Sequence, residues 1–212
     1  LNETFQLTQN TYESQTLNIP EGWSGISSFI MPADNDIINV MAPVGSNLVM
    51  MQTMNEVLYP DGSINTIGTW DSQSAYKIKL ETPSTLNITG EEETDKTLSM
   101  NTGWSLLPVI SNIPVDAASL FGGTDLVLIK EVAGPGLIWP EYGINTLGSD
   151  LYPGMSYYVL MGSAGSITFP PNAKIAGKYE VMQTEIPVHP WNRIAEGPSS
   201  HVIAIKADAL SG

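Results

Sequence analysis

The 212-residue chain has no cysteine, only two histidines, and eight lysines and arginines against 22 aspartates and glutamates. Without cysteine there is no disulfide, no thiolate zinc site and no cysteine nucleophile. His189 and His201 form no helical His-x-x-x-His pair, so neither a histidine metal site nor a Ser-His-Asp arrangement is supported, and no Gly-x-Ser-x-Gly occurs. Gly122-Gly123 lacks a following Lys-Ser/Thr, and Gly134-Pro135-Gly136 reads as a turn, so no phosphate loop or nucleotide cofactor is implied. The net charge of −14 works against the counterion release that drives binding to nucleic acid or anionic lipid, and both partners are set aside. Charged residues make up 14% of the chain, well under the usual share, which describes a weakly charged globular surface. No apolar run is long enough to cross a membrane as a helix. The opening Leu-Asn-Glu-Thr lacks the parts of a signal peptide and begins without Met, so a mature or excised piece of a longer chain is expected.

What the sequence does have is an internal repeat. Residues 16–26 read TLNIPEGWSGI and residues 97–106 read TLSMNTGWSL. Leu58-Tyr59-Pro60-Asp61 and Ile64-Asn65-Thr66-Ile67-Gly68 recur as Ile138-Trp139-Pro140-Glu141 and Ile144-Asn145-Thr146-Leu147-Gly148. Tyr76-Lys77-Ile78-Lys79-Leu80 then matches Tyr157-Tyr158-Val159-Leu160-Met161. This many ordered matches predicts two tandem homologous modules, 16–90 and 97–170, joined by a solvated acidic linker at 91–96. An N-terminal segment, 1–15, is expected to be an edge strand or tail. A C-terminal connecting segment, 171–212, opens on Pro170-Pro171-Asn172 and carries a strand-like run at 200–205.

Strand signals dominate, as short β-branched and aromatic runs bounded by Gly, Pro, Asn and Asp. They fall at 17–19, 23–30, 48–53, 56–59, 76–80 and 85–89, and again at 98–100, 104–110, 126–132, 137–139, 157–161 and 166–169. Asp34 or Asp36 can cap a short helix with Ile37, Ile38 and Met41 on one face, and Asp116 stands before a matching segment. The unalternating run at 126–129 suggests a strand covered on both faces. The fold class expected is mainly β: two small β-sandwich or barrel-like modules, each with one short helix. The repeated Gly-Trp is expected to place Trp23 and Trp104 in the two cores.

These residues resemble the Gly-Trp-Asn-Leu-Ile-type tandem repeat of secreted, multi-modular Bacteroidetes proteins. In that repeat such a strand is followed by an aromatic-Pro pair, an Ile-Asn-Thr-Leu-Gly turn and a Gly-Tyr-type strand. The likeness covers about 16–170, with Ser24 and Ser105 standing where the repeat has Asn. The resemblance implies an extracellular or cell-surface accessory region of a larger protein, an enzyme or adhesin acting on polysaccharide, with the other modules of that parent chain as neighbours. It supplies no catalytic motif.

Among candidate sites, Asp61 and Glu141 occupy matched positions, but as a glycosidase pair they would need their two loops in one cleft. Asp34-Asn35-Asp36 and the acidic run 91–95 offer hard oxygen ligands to a structural calcium, although neither matches an EF-hand. No other cofactor or metal is expected. The aromatic residues around the repeated turn, Tyr59, Trp70, Trp139, Tyr142 and Tyr152, could stack on sugar rings while Asp61, Asn65, Glu141 and Asn145 bond hydroxyls. The alternative is that the same rings fold back over small cores. Two functions follow: a non-catalytic polysaccharide-binding module using the aromatic turn loops, or a structural spacer or protein-interaction module without a glycan ligand.

Overall fold

The computed structural model describes residues 12–173 and the strand Tyr179–Glu180. It is mainly β. The first half runs β1 (Glu13–Ile19), β2 (Gly22–Ile26), β3 (Ile30–Pro32), helix α1 (Ile37–Met41), β4 (Leu48–Gln52), β5 (Val57–Tyr59), β6 (Ile64–Asn65), β7 (Tyr76–Leu80) and β8 (Ser84–Glu92). The second half runs β9 (Thr97–Met100), β10 (Gly103–Pro108), β11 (Val115–Asp116), helix α2 (Ala117–Leu120), β12 (Leu126–Glu131), β13 (Leu137–Trp139), β14 (Ile144–Asn145), β15 (Asp150–Leu151), β16 (Ser156–Met161) and β17 (Gly165–Thr168), with β18 (Tyr179–Glu180) beyond it.

Strand order is the same in the two halves. One five-stranded sheet is ordered β2-β7-β4-β5-β6 and the other β10-β16-β12-β13-β14, each antiparallel throughout. A second layer covers each. In the first half β1 and β8 turn Leu17, Ile19, Leu86 and Ile88 onto Ile26, Met51, Leu58, Ile78 and Leu80. In the second, β9 and β17 bring Leu98, Met100 and Ile167 onto Leu107, Ile129, Tyr157, Val159 and Met161. The result is two sandwich-like cores, made from the alternating inward positions of short strands.

The helices close these cores. Asp36 Oδ1 accepts the Ile38 N–H at 2.8 Å, and Asp116 Oδ1 accepts the Ser119 N–H at 2.7 Å, each pairing a donor that a helix start leaves free. The bonds from Ser119 hold the Asp116 carboxyl below the usual carboxylate range. Ile37 and Met41, one turn apart, are buried, while Ile38 is exposed rather than sharing their face, because the next residue points about 100° around the helix.

Several other expectations are corrected. Glu91 and Glu92 do not belong to a free linker: they extend β8 opposite Met31 and Ile30. Glu93 continues the bonding, its N–H donating to Phe29 O at 2.7 Å and its carboxylate accepting from Ser72 Oγ at 2.5 Å. Lys96 donates to Ile110 O at 2.8 Å, and burial lowers its pKa. Strand β1 is not at an edge, since β8 flanks one side and β18 the other. The run at 126–129 is covered on both faces as expected: a bulge between Leu126 and Leu128 turns Leu126 and Ile129 toward the core, while Leu128 is buried on the opposite face. The expected strand at 200–205, the two histidines and residues 1–11 lie outside the described residues.

The described residues belong to one compact unit, and its halves meet at polar contacts. Ser27 Oγ donates to Met155 O at 2.5 Å and accepts from Val109 N at 3.0 Å, while Ser27 N donates to Gly154 O at 3.1 Å. Ser156 Oγ donates to Tyr76 O at 2.9 Å. Gly25 fits this seam because it has no side chain: a Cβ there would lie 2.5 Å from Ser156 O and 2.7 Å from Val132 Cγ2.

Candidate functional site

The repeated turn places its residues on two edge hairpins, β5–β6 and β13–β14, which belong to different sheets. Tyr59 pairs across its hairpin with Ile64, and Trp139 with Ile144. The two asparagines fold the turn: Asn65 Oδ1 accepts the Gly68 N–H at 3.0 Å and Asn145 Oδ1 the Gly148 N–H at 2.9 Å. The glycines take φ of 72° and 96°, so this part of the repeat is accounted for by backbone geometry. Both asparagines are exposed, each with one oxygen already committed.

Around the second turn, Trp139 is half-buried and meets Tyr142 edge to face at 4.5 Å and 74°. Tyr142 is 62% exposed, and Glu141 beside it is exposed too. Trp139 and Tyr142 therefore form one ring pair with Glu141 adjacent in the chain, while Asn145 pairs opposite Ile138 on the other face of the hairpin. Around the first turn, Tyr59 is half-buried, and Asp61 and Asn65 are exposed. Asp61 and Glu141 stand on separate hairpins of separate sheets.

Trp70 is not a surface ring. It is 1% exposed and stacks on Tyr76 at 4.6 Å, so it belongs to the first core. Tyr76 anchors the same loop: Asp71 N donates to its hydroxyl at 2.8 Å. In the second half Tyr152 N donates to the Tyr157 hydroxyl at 3.1 Å. Burial pushes both tyrosine pKa values well up, and these two hydroxyls hold loops in place.

The expectation that Trp23 and Trp104 fill the cores is reversed. They are 36% and 48% exposed. Ile26 and Leu107 point inward from the same strands, and strand alternation sends Trp23 and Trp104 to the opposite side. Glycines at φ 85° and 94° precede them and mark a strand entry. On the outward side of the first sheet, Lys77 Nζ lies 5.0 Å and Lys79 Nζ 6.0 Å from the Trp23 ring centre. On the outward side of the second, Trp104 meets Tyr158 edge to face at 6.3 Å, and Lys130 Nζ is 5.9 Å from the Tyr158 ring centre. These cations sit at cation–π range of the rings. The signal was present in the polar alternation of Tyr76-Lys77-Ile78-Lys79-Leu80, which puts both lysines on the side away from Ile78.

Asp34 and Asp36 are engaged locally. Asp34 accepts from Asp36 N at 3.2 Å and from Asn39 Nδ2 at 3.0 Å, and Asp36 caps α1. Among the described residues no group of three or more His, Cys, Asp or Glu side chains is placed to hold a metal ion. No helix among them is long and apolar enough to cross a membrane. No protein-family model, curated protein or solved structure matches the chain.

Proposed function

We propose that the chain is a non-catalytic accessory region of a secreted or cell-surface protein, built of two tandem homologous modules, and that it binds polysaccharide. The observation that carries this reading is the placement of large rings away from the cores: Trp23, Trp104 and Tyr142 are all more than a third exposed. Aromatic faces at solvent level, next to a hydroxyl-bonding group such as Glu141, suit the apolar face of a sugar ring. The ligand surface then combines the repeated turns with the outward sheet faces. The resemblance to secreted Bacteroidetes repeats supports the extracellular setting.

A second reading is a spacer or protein-interaction module. The outward side of the second sheet favours it, because the half-buried Leu106, Leu137 and Leu160 join Trp104, Trp139 and Tyr158 there, and apolar faces of this kind are frequent at protein contacts.

Retention of the purified chain on a panel of polysaccharides, with and without calcium, separates the two. The expected result is specific retention that Trp104→Ala and Tyr142→Ala abolish with stability changed by less than about 1 kcal/mol. No retention on any polymer of a broad panel would sink the glycan reading in favour of the second.

A further inference from the structure

Only eight residues of the chain are lysine or arginine, and the described residues hold four of them: Lys77, Lys79, Lys96 and Lys130. Lys96 is committed to the Ile110 carbonyl. The other three all stand on the outward sides of the two five-stranded sheets, each beside an aromatic ring. That is an uneven use of scarce positive charge in a chain of net −14.

Among the described residues, no carboxylate lies within 4.0 Å of Lys77, Lys79 or Lys130. Glu21 and Glu81, which flank β2 and β7 in the chain, do not come that close. Lys77 and Lys79 are two residues apart on one side of one strand, about 7 Å between Cα atoms. Like charges so placed repel each other, so an anion that bridges them relieves a cost already present in the free protein.

The two outward faces also adjoin. Gly25 is on the same side of β2 as Trp23 and pairs with Lys77. It abuts Ser156 and Val132, which lie in line with Tyr158 on β16 and Lys130 on β12. Lys77 and Lys130 therefore border the same seam from opposite sheets. The surface holds aromatic rings for the apolar faces of sugars and ammonium groups for anionic substituents.

We infer that the ligand is an acidic polysaccharide, its anionic groups held by Lys77 and Lys79 beside Trp23 and by Lys130 beside Tyr158, across the seam at Gly25. The inference rests on the polysaccharide reading above and narrows it. Three ammonium groups suit a polymer with widely spaced charges, whereas the negative field of the whole chain opposes one as densely charged as nucleic acid.

Affinity electrophoresis of the full chain against two matched polymer pairs tests this. Polygalacturonate is set against its methyl ester, and a lightly sulfated dextran against dextran, so that each pair differs chiefly in charge and the two acids are distinguished. Retardation is expected with at least one acidic polymer, weaker with its uncharged partner and weakened by sodium chloride. Lys77→Gln and Lys79→Gln should each weaken it about tenfold or more with unchanged thermal midpoints, and Lys130→Gln by less. Equal retardation by a polymer and its uncharged partner, or lysine variants that bind like the parent, overturns the acidic class and leaves the polysaccharide reading standing. No retardation by any of the four, together with no retention on the broader panel, overturns both.

Discussion

Lys77 and Lys79 stand on β7 where Tyr158 and Leu160 stand on the matching strand β16. The residues between and beside them, Tyr76, Ile78 and Leu80 in one half and Tyr157, Val159 and Met161 in the other, are all buried and apolar or aromatic. Inward positions thus keep one chemistry, because each sheet needs the same cover from its second layer. Outward positions are released from that demand, and the two halves have used the freedom differently. The first face carries two cations around a tryptophan, and the second carries leucines, tyrosine and one lysine. Residues free of folding constraints are where binding specificity can differ between otherwise similar halves.

The largest effects should fall on inward positions. Trp70 and Leu151 are both fully buried, and Trp70→Ala is expected to cost about 3–5 kcal/mol and Leu151→Ala about 2–5 kcal/mol in denaturant titrations. A change below about 1 kcal/mol at either would break the rule that inward positions are equivalent.

Alkaline pH probes the same layer through Tyr76 and Tyr157. Burial is the main cause of their raised pKa values, and it outweighs the lowering by the backbone bonds from Asp71 and Tyr152. Unfolded tyrosines ionise near 10 while the folded ones stay neutral, so the unfolded state binds fewer protons above that pH and stability falls. The stability is whole below about pH 10, and above it each ring should lose about 1.4 kcal/mol per pH unit. Tyr76→Phe and Tyr157→Phe should each remove that ring's share of the slope between pH 9 and 11, measured by urea unfolding.

The seam comes next. Gly25→Val drives side-chain atoms into Ser156 and Val132 and should cost about 1–3 kcal/mol. Leu106→Val at the matching, half-buried position should cost less than about 1 kcal/mol. Equal costs would mean that the seam does not distinguish the halves.

The smallest effect on stability belongs to an exchange of outward chemistry. Lys77→Tyr with Lys79→Leu should shift stability by less than about 1 kcal/mol. It should also raise self-association in sedimentation velocity, as an enlarged apolar face does.

Much of the fold was legible. The strand runs agree with the observed elements to within a few residues, as with 76–80 for β7 and 137–139 for β13. Helix caps at Asp34 or Asp36 and at Asp116 were legible because a cap is a local bond over two or three residues, and the structure gives the first to Asp36. The candidate site was legible only in part. Tyr142 and Glu141 are exposed on the second turn, whereas Trp70 is core and Trp23 and Trp104 are surface. Large rings suit a core or a binding face equally well by hydrophobicity, and that ambiguity misplaced all three tryptophans.

Composition and local pattern by themselves determined the β class, the turns and the caps, since each depends on residues close in sequence. Only the tertiary structure decided that Glu91 and Glu92 extend a strand, that Gly25 lies against Ser156, and which face of each sheet carries Trp23 and Trp104. Those outcomes depend on which layer covers a strand and which strand offers its edge. These partners come from far along the chain: β8 covers β2 and its sheet, and β16 meets the strand that Gly25 occupies.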